Sequence, residues 1–373
     1  MKLTNINIYG EDGYFHKGSL CIEGKDIVSE SIDSKILDGK GCYAIPGLID
    51  IHFHGCDGYD FCEGTQEAIQ KIAEYQLLHG ITSICPATMT LAEEDLSRIC
   101  ETAGNYKNRK GAILRGINME GPFISEKKKG AQSAKHIKMP NVKFYRDLQT
   151  KAKGLIKLLD LACEEAGAMA LIDELKEEVR ISLAHTTADY ETASLALAKG
   201  AKHITHMYNA MPAYTQREPG VVGAAFDATD CMVELIGDGV HVHPSVIRAT
   251  YQMFGENRIC LISDSMMATG MPDGDYMLGG QKVIVRDTRA MLADGTLAGS
   301  VTDLMDVMRY VVKIGVPLEK VVKTVTMNPA KAIGIYEQVG SLTVGKRADI
   351  LLLDHNLEIK QIIFQGNIQE LHK

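Results

Sequence analysis

Eight short apolar runs, separated by amphipathic stretches, restrict the fold of this chain more than any other feature of its sequence. They lie at 48–52, 81–87, 113–119, 155–161, 179–184, 202–205, 232–236 and 259–263. Helical periodicity fills several of the gaps, at 65–79, 188–199 and 245–254, the last preceded by His243 and Pro244 as a start signal. Strands interleaved with helices eight times over predict an α/β chain closed into a (β/α)8 TIM-type barrel, whose chemistry gathers at the C-terminal strand ends. An open, doubly wound sheet is the alternative, but the phosphate-cradling G-x-G-x-x-G after the first run is missing.

The flanks have a different texture. Residues 1–44 alternate like short strands, with turn signals at 10–13 and 24–26, and predict a small antiparallel sheet. Residues 340–373 read the same way, through GSLTVGKRADILLLD and IKQIIFQGN. Neither piece is long enough to bury a core alone, so the two chain ends are expected to build one small β-sandwich domain. The barrel is then expected over 45–339. A β-hairpin insertion is expected near 271–300, where Gly and Asp are frequent and KVIVRD and RAMLAD look β-like.

Metal-capable residues fall at the ends of these runs. His52 and His54 close the first in IPGLIDIHFHG; Glu120 follows the third, His185 the fifth, His206 the sixth, His241 the seventh and Asp264 the eighth. Alternate residues of an extended chain share a face, so His52 and His54 point the same way, roughly 7 Å apart at the backbone. Each residue alone has a plain structural reading, a hydrogen-bonded histidine or a carboxylate capping a helix. In a barrel they form one ring, and several imidazoles with a carboxylate suit Zn²⁺ or a similar divalent ion with an open position for water.

Composition excludes other classes. A net charge of −8 argues against a polyanion such as nucleic acid, and the nearest approach to a basic block, EKKK at 126–129, reads as a solvated loop. No apolar stretch reaches membrane-spanning length, and MKLTNINIYGEDG turns polar too soon for a signal peptide. Nine cysteines without a C-x-x-C pair fit a reducing compartment, and a cytoplasmic location is expected. Cys56 and Cys62, near the H-x-H, read as buried thiols, and Lys157 lies too early in its run to serve as a modified-lysine ligand.

The segments IPGLIDIHFHG, NMEGPFISEKKKGA, LAHT, THMYNAMPAYTQREPG, DGVHVHP, LISDS, GTLAGS, MNPAKAIG and GSLTVGKRADILLLD resemble, in order along nearly the whole chain, the N-acetylglucosamine-6-phosphate deacetylases of the amidohydrolase superfamily. The H-x-H and the closing segment are general to that superfamily, whereas EGPF with KKGA, and H-x-Y-N-A-M with REPG, are specific to the deacetylases. The resemblance implies that Glu120, His185 and His206 hold a principal metal, that His52 and His54 support a second, and that Asp264 is general base and then acid. One or two divalent ions per subunit follow, zinc first, with iron, manganese or cobalt as alternatives. Gln132, Asn209, Ala210, Arg217, His241 and Leu297 fall where the family contacts sugar and phosphate, with Arg217 reaching a neighbouring subunit in a homodimer. Gln132 is a departure, because many family members carry histidine there, and a glutamine cannot become charged.

The implied reaction is hydrolysis of the N-acetyl group of N-acetylglucosamine 6-phosphate, giving glucosamine 6-phosphate and acetate. A divalent ion lowers the pKa of water and polarises the amide carbonyl, and a nearby carboxylate moves the proton to the departing amine. The rivals are a galactosamine-type or other amide substrate on the same machinery, and a metal-binding barrel without catalysis.

Overall fold

In the computed structural model, which describes residues 1–30 and 35–370, the eight predicted runs are eight parallel strands. The parts of the expected terminal strands at 31–34 and 371–373 lie outside the described residues. The barrel strands are Leu48–Asp50, Ile81–Ile84, Ile117–Met119, Ile156–Leu161, Arg180–Leu183, His203–Ile204, Met232–Ile236 and Ile259–Ile262. Most are shorter than their apolar runs, and in several, such as Leu48–Asp50 and Ile81–Ile84, the C-terminal residues of the run leave the strand; Met232–Ile236 matches its run in full. The third run is also split, with Ile113–Leu114 paired to the second strand. A parallel bridge between Ala87 and Asn118 joins the second strand to the third. The ring closes where the amide of Asp264 donates to the carbonyl of His52 at 3.0 Å and that of His54 to Ser265 at 2.7 Å, a TIM-barrel-like arrangement rather than an open sheet.

Helices follow from periodicity and caps. Gln66–Leu78 buries Ala68, Ile69, Ile72, Ala73, Gln76 and Leu77 on one stripe and starts at Thr65, whose side chain accepts from the amide of Ala68. Tyr190–Lys199 begins at a capping Asp189 and stops at Gly200. Pro244 occupies the first turn of Pro244–Phe254, where its missing N–H costs nothing.

Both chain ends meet in one eight-stranded sheet that runs, from neighbour to neighbour across it, through Asn367–Gln369, Ile359–Phe364, Ile350–Leu353, Tyr43–Pro46, Lys2–Tyr9, Phe15–Glu23 and Asp26–Val28, with Ile36–Asp38 also paired to Lys2–Tyr9. The sheet is mixed, which corrects the antiparallel expectation: Lys2–Tyr9 pairs in parallel with both Ile36–Asp38 and Tyr43–Pro46. Tyr43–Pro46 belongs to this sheet and leads directly into the first barrel strand, so the expected boundary after residue 44 falls inside a strand. The insertion after the eighth strand is a three-stranded antiparallel sheet, Gly274–Leu278, Gln281–Arg286 and Arg289–Met291.

The apolar run Ile350–Leu353 explains how sheet and barrel adhere. Leu351 and Leu353 pack into the barrel's core cluster, whereas Ile350 and Leu352 pack into a separate core with Leu3, Ile22 and Ile363. Period-two alternation thus serves two cores, and neither face is left for solvent. Leu351→Ala is expected to lower unfolding free energy by about 2–5 kcal/mol, the usual effect of truncating a fully buried leucine. Denaturation midpoints in urea check this, and a loss below about 1 kcal/mol would contradict the coupling.

Candidate active site

The strand ends enclose an open pocket of about 220 Å³, lined by His54, Glu120, His185, His206, His241 and Asp264 together with Gln132, Asn209, Ala210 and Leu297. His52 lies just beneath, fully buried. Arg217 is not brought there: it stands exposed on the segment between Met211 and Gly220 and has no ion pair among the described residues. Cys56 and Cys62 are free thiols outside the pocket, and burial pushes both well above the usual range. Lys157 lies at the opposite end of the barrel, beside Ile156 and Arg180 where the fourth and fifth strands begin.

Three ligand atoms form a close triangle. Glu120 Oε1 lies 2.9 Å from His185 Nε2 and 3.2 Å from His206 Nε2, and the two imidazole nitrogens are 3.2 Å apart. Ligands about 2.0–2.1 Å from a tetrahedral divalent ion sit close to 3.3 Å from one another, so these edges fit a shared cation. The tautomer of His185 agrees: its Nδ1 faces the carbonyl of Lys128 at 2.8 Å and must donate, which leaves Nε2 bare in the neutral ring. The H-x-H pair stands beside the triangle. His54 Nε2 is 3.4 Å from Glu120 Oε2 and 3.3 Å from Asp264 Oδ1, and His52 Nε2 is 3.7 Å from Glu120 Oε1 and 3.9 Å from Asp264 Oδ1. His52 Nε2 is buried with no hydrogen-bond partner among the described residues. The groups His52, Glu120, His206 and His52, His54, Asp264 each gather their ligand atoms within 4.8 Å. Imidazole and carboxylate donors of this kind fit a divalent ion.

Charge reinforces the arrangement. Burial would raise the carboxyl of Glu120, but the charge of His52 and the close contacts of His185 and His206 with Oε1 hold it well below the ordinary range. Burial likewise acts to raise Asp264, and the His54 hydrogen bond with the charges of His52, His54 and His241 outweighs it, leaving the carboxyl depressed. Asp264 is thus ionised at neutral pH, as a proton acceptor must be. His241 donates from Nδ1 to Asp238 Oδ2 at 2.7 Å; against the opposing effect of burial, that contact and the charge of Asp264 raise its pKa.

The backbone is strained at the same places. His185, His206 and Asp264 have φ of 43°, 29° and 49°, and Tyr208 and Ala210 follow at 78° and 52°. Left-handed conformations are costly for residues with a Cβ and cluster where function holds them.

Several contributors were not anticipated. Gln132 lines the pocket and also meets the protein: its Nε2 donates to Glu120 Oε2 at 2.8 Å and its Oε1 accepts from the Thr90 amide at 2.6 Å, partners the sequence did not suggest. The EKKK run is more than a solvated loop, since Lys128 supplies the carbonyl that fixes His185 and its Nζ reaches the carbonyl of Met211 at 3.0 Å. Asn118 donates to the carbonyl of Ile51 at 3.3 Å. Fully buried Glu234 accepts from His52 Nδ1 at 2.8 Å; the signal for it was a charged residue inside an otherwise apolar strand.

Among known proteins, the Amidohydrolase family profile matches residues 43–369. The chain is 38% identical to N-acetylglucosamine-6-phosphate deacetylase of Bacillus subtilis over 97% of this chain and 94% of that protein. It is 31% identical to N-acetylgalactosamine-6-phosphate deacetylase of Escherichia coli O157:H7 over 96% of each. A crystal structure of N-acetyl-D-glucosamine-6-phosphate deacetylase from Mycobacterium smegmatis superimposes with a TM-score of 0.91 at 30% identity, covering 99% of both chains.

Proposed function

The chain belongs to the Amidohydrolase family, and from that premise we propose that it is an N-acetylglucosamine-6-phosphate deacetylase, releasing acetate and glucosamine 6-phosphate by metal-dependent hydrolysis. The observation that carries the reading is the Glu120, His185 and His206 triangle with Asp264 alongside, on a chain similar to such deacetylases along nearly its whole length. Glu120, His185 and His206 hold the principal ion and His52 with His54 a second; zinc is the metal we assign. A divalent ion there supplies a Lewis acid for the amide carbonyl and lowers the pKa of water towards about 7.

The chain's own residues do the rest. Asp264 takes a proton from the attacking water and delivers it to the nitrogen of the departing amine, which an amide does not expel unprotonated. His241, oriented by Asp238, offers its other ring nitrogen to the sugar, with Asn209, Ala210 and Leu297 in the pocket lining. Gln132 acts on Glu120 and, through its place in the lining, on the sugar. We read the sheet of the two chain ends, with its own core, as the expected small sandwich domain, and place the enzyme in the cytoplasm, where nine thiols stay reduced. No helix among the described residues is long and apolar enough to cross a membrane.

Arg217 binds the phosphate of a substrate held by the other subunit of a homodimer, its planar fork donating two hydrogen bonds. Arg217→Ala is therefore expected to raise KM for the phosphorylated sugar about tenfold or more, with a smaller change for unphosphorylated N-acetylglucosamine. Equal effects on both substrates would remove Arg217 from phosphate recognition. Acetate release from the 6-phosphates of N-acetylglucosamine and N-acetylgalactosamine, side by side, tests the substrate assignment: faster turnover of the galacto epimer would overturn it.

A further inference from the structure

Glu234 lies one layer below the pocket, inside the strand Met232–Ile236, and is fully buried. A buried carboxylate is costly to maintain unless it is paired. Here its oxygens meet three groups from other strands: Oε2 accepts from His52 Nδ1 at 2.8 Å and from the amide of His206 at 3.2 Å, and Oε1 meets His203 Nε2 at 3.2 Å. Nothing in the reaction above uses it.

We propose that Glu234 is a positioning residue for the second metal site, fixing His52 with its proton on Nδ1 and a bare Nε2 turned towards Asp264 and Glu120. The inference rests on the metal-dependent reading of the pocket. A carboxylate that accepts from one ring nitrogen both sets the tautomer and stops the ring from rotating, the role such partners play behind metal-binding histidines. Asn118, whose Nδ2 donates to the carbonyl of Ile51 at 3.3 Å, flanks the same ring. The contact with the His206 amide means that one carboxylate is tied to a histidine of each set, aligning the H-x-H pair with the triangle.

Removing the charge without changing the shape isolates this role. Glu234→Gln presents an amide N–H₂ as readily as a carbonyl to His52, so the ring can take the opposite tautomer with a proton on Nε2. Titration of the metal-stripped protein with Co²⁺, followed by its visible absorption, is expected to show two binding steps in the wild type. In Glu234→Gln the second dissociation constant should rise about 10–100-fold, with the first changed much less. In a His52→Gln background, Glu234→Gln should add nothing further to the second step, as a double-mutant cycle requires of a residue acting through His52. Asp160→Asn, at another fully buried carboxylate whose Oδ1 accepts from Thr205 at 2.9 Å, should leave both steps in place.

Wild-type affinity for both equivalents in Glu234→Gln would overturn the proposal. So would a wild type that takes up one equivalent only, unaffected by His52→Gln. Should Glu234→Gln not fold, nitrogen NMR of imidazole-labelled, zinc-loaded wild type decides: a protonated Nδ1 on His52 supports the proposal, and metal on Nδ1 overturns it. None of these readouts needs turnover, so failure to deacetylate the sugar phosphate would strike the functional reading and leave this one to its own result.

Discussion

Asp264→Asn is expected to lower kcat by about 10²-fold or more while metal content, thermal melting and KM stay near wild type. The substitution keeps the shape and removes the capacity to accept a proton. Asp264 Oδ1 sits 3.3 Å from His54 Nε2 and its amide closes the barrel ring to His52, so the backbone that positions it is held independently of its charge. Its depressed pKa says that the base is ionised before substrate arrives; only a group that gives the proton back to the amine completes the cycle. A variant that turns over within a few-fold of wild type would take Asp264 out of the mechanism.

Glu120→Gln should be more damaging and in a different way. Glu120 contacts both histidine sets, touching His185 and His206 through Oε1 and approaching His54 through Oε2. The amide would bring either N–H protons or a neutral carbonyl to nitrogens that face it with lone pairs, and removes the charge a cation needs in a buried site. Bound metal after dialysis is expected to fall below about one tenth of an equivalent, and kcat by roughly a thousandfold, corresponding to about 4 kcal/mol of lost stabilisation. Metal analysis with turnover separates the two variants: Asp264→Asn loses rate with the metal in place, Glu120→Gln loses both. Full metal occupancy in Glu120→Gln, with kcat within tenfold of wild type, would contradict its place as a ligand.

The barrel and most of the pocket were legible because apolar runs stop where polar, metal-capable residues begin, and a closed parallel sheet sends all those stops to one face. Glu120, His185, His206 and Asp264 were marked in this way. What escaped was set by pairing between distant segments. Glu234 lies within a run, and the histidines it orients come from other strands. Gln132 was marked as a sugar contact, but its hydrogen bonds to Glu120 and the Thr90 backbone, 12 and 42 residues away, were not legible. The parallel pairing of Lys2–Tyr9 with Tyr43–Pro46 escaped for a related reason: alternation reports which faces are buried and says nothing of strand direction. Ile350–Leu353 was read as a strand, yet only the two cores on its opposite faces explain why all four of its residues are apolar.

The most direct test of the account is acetate release from N-acetylglucosamine 6-phosphate by the purified protein, followed through chelation and re-addition of Zn²⁺. One acetate per glucosamine 6-phosphate formed, loss of turnover on chelation, and its recovery with the ion are expected. Turnover that persists after complete metal removal, or a metal-replete protein that releases no acetate, would contradict it.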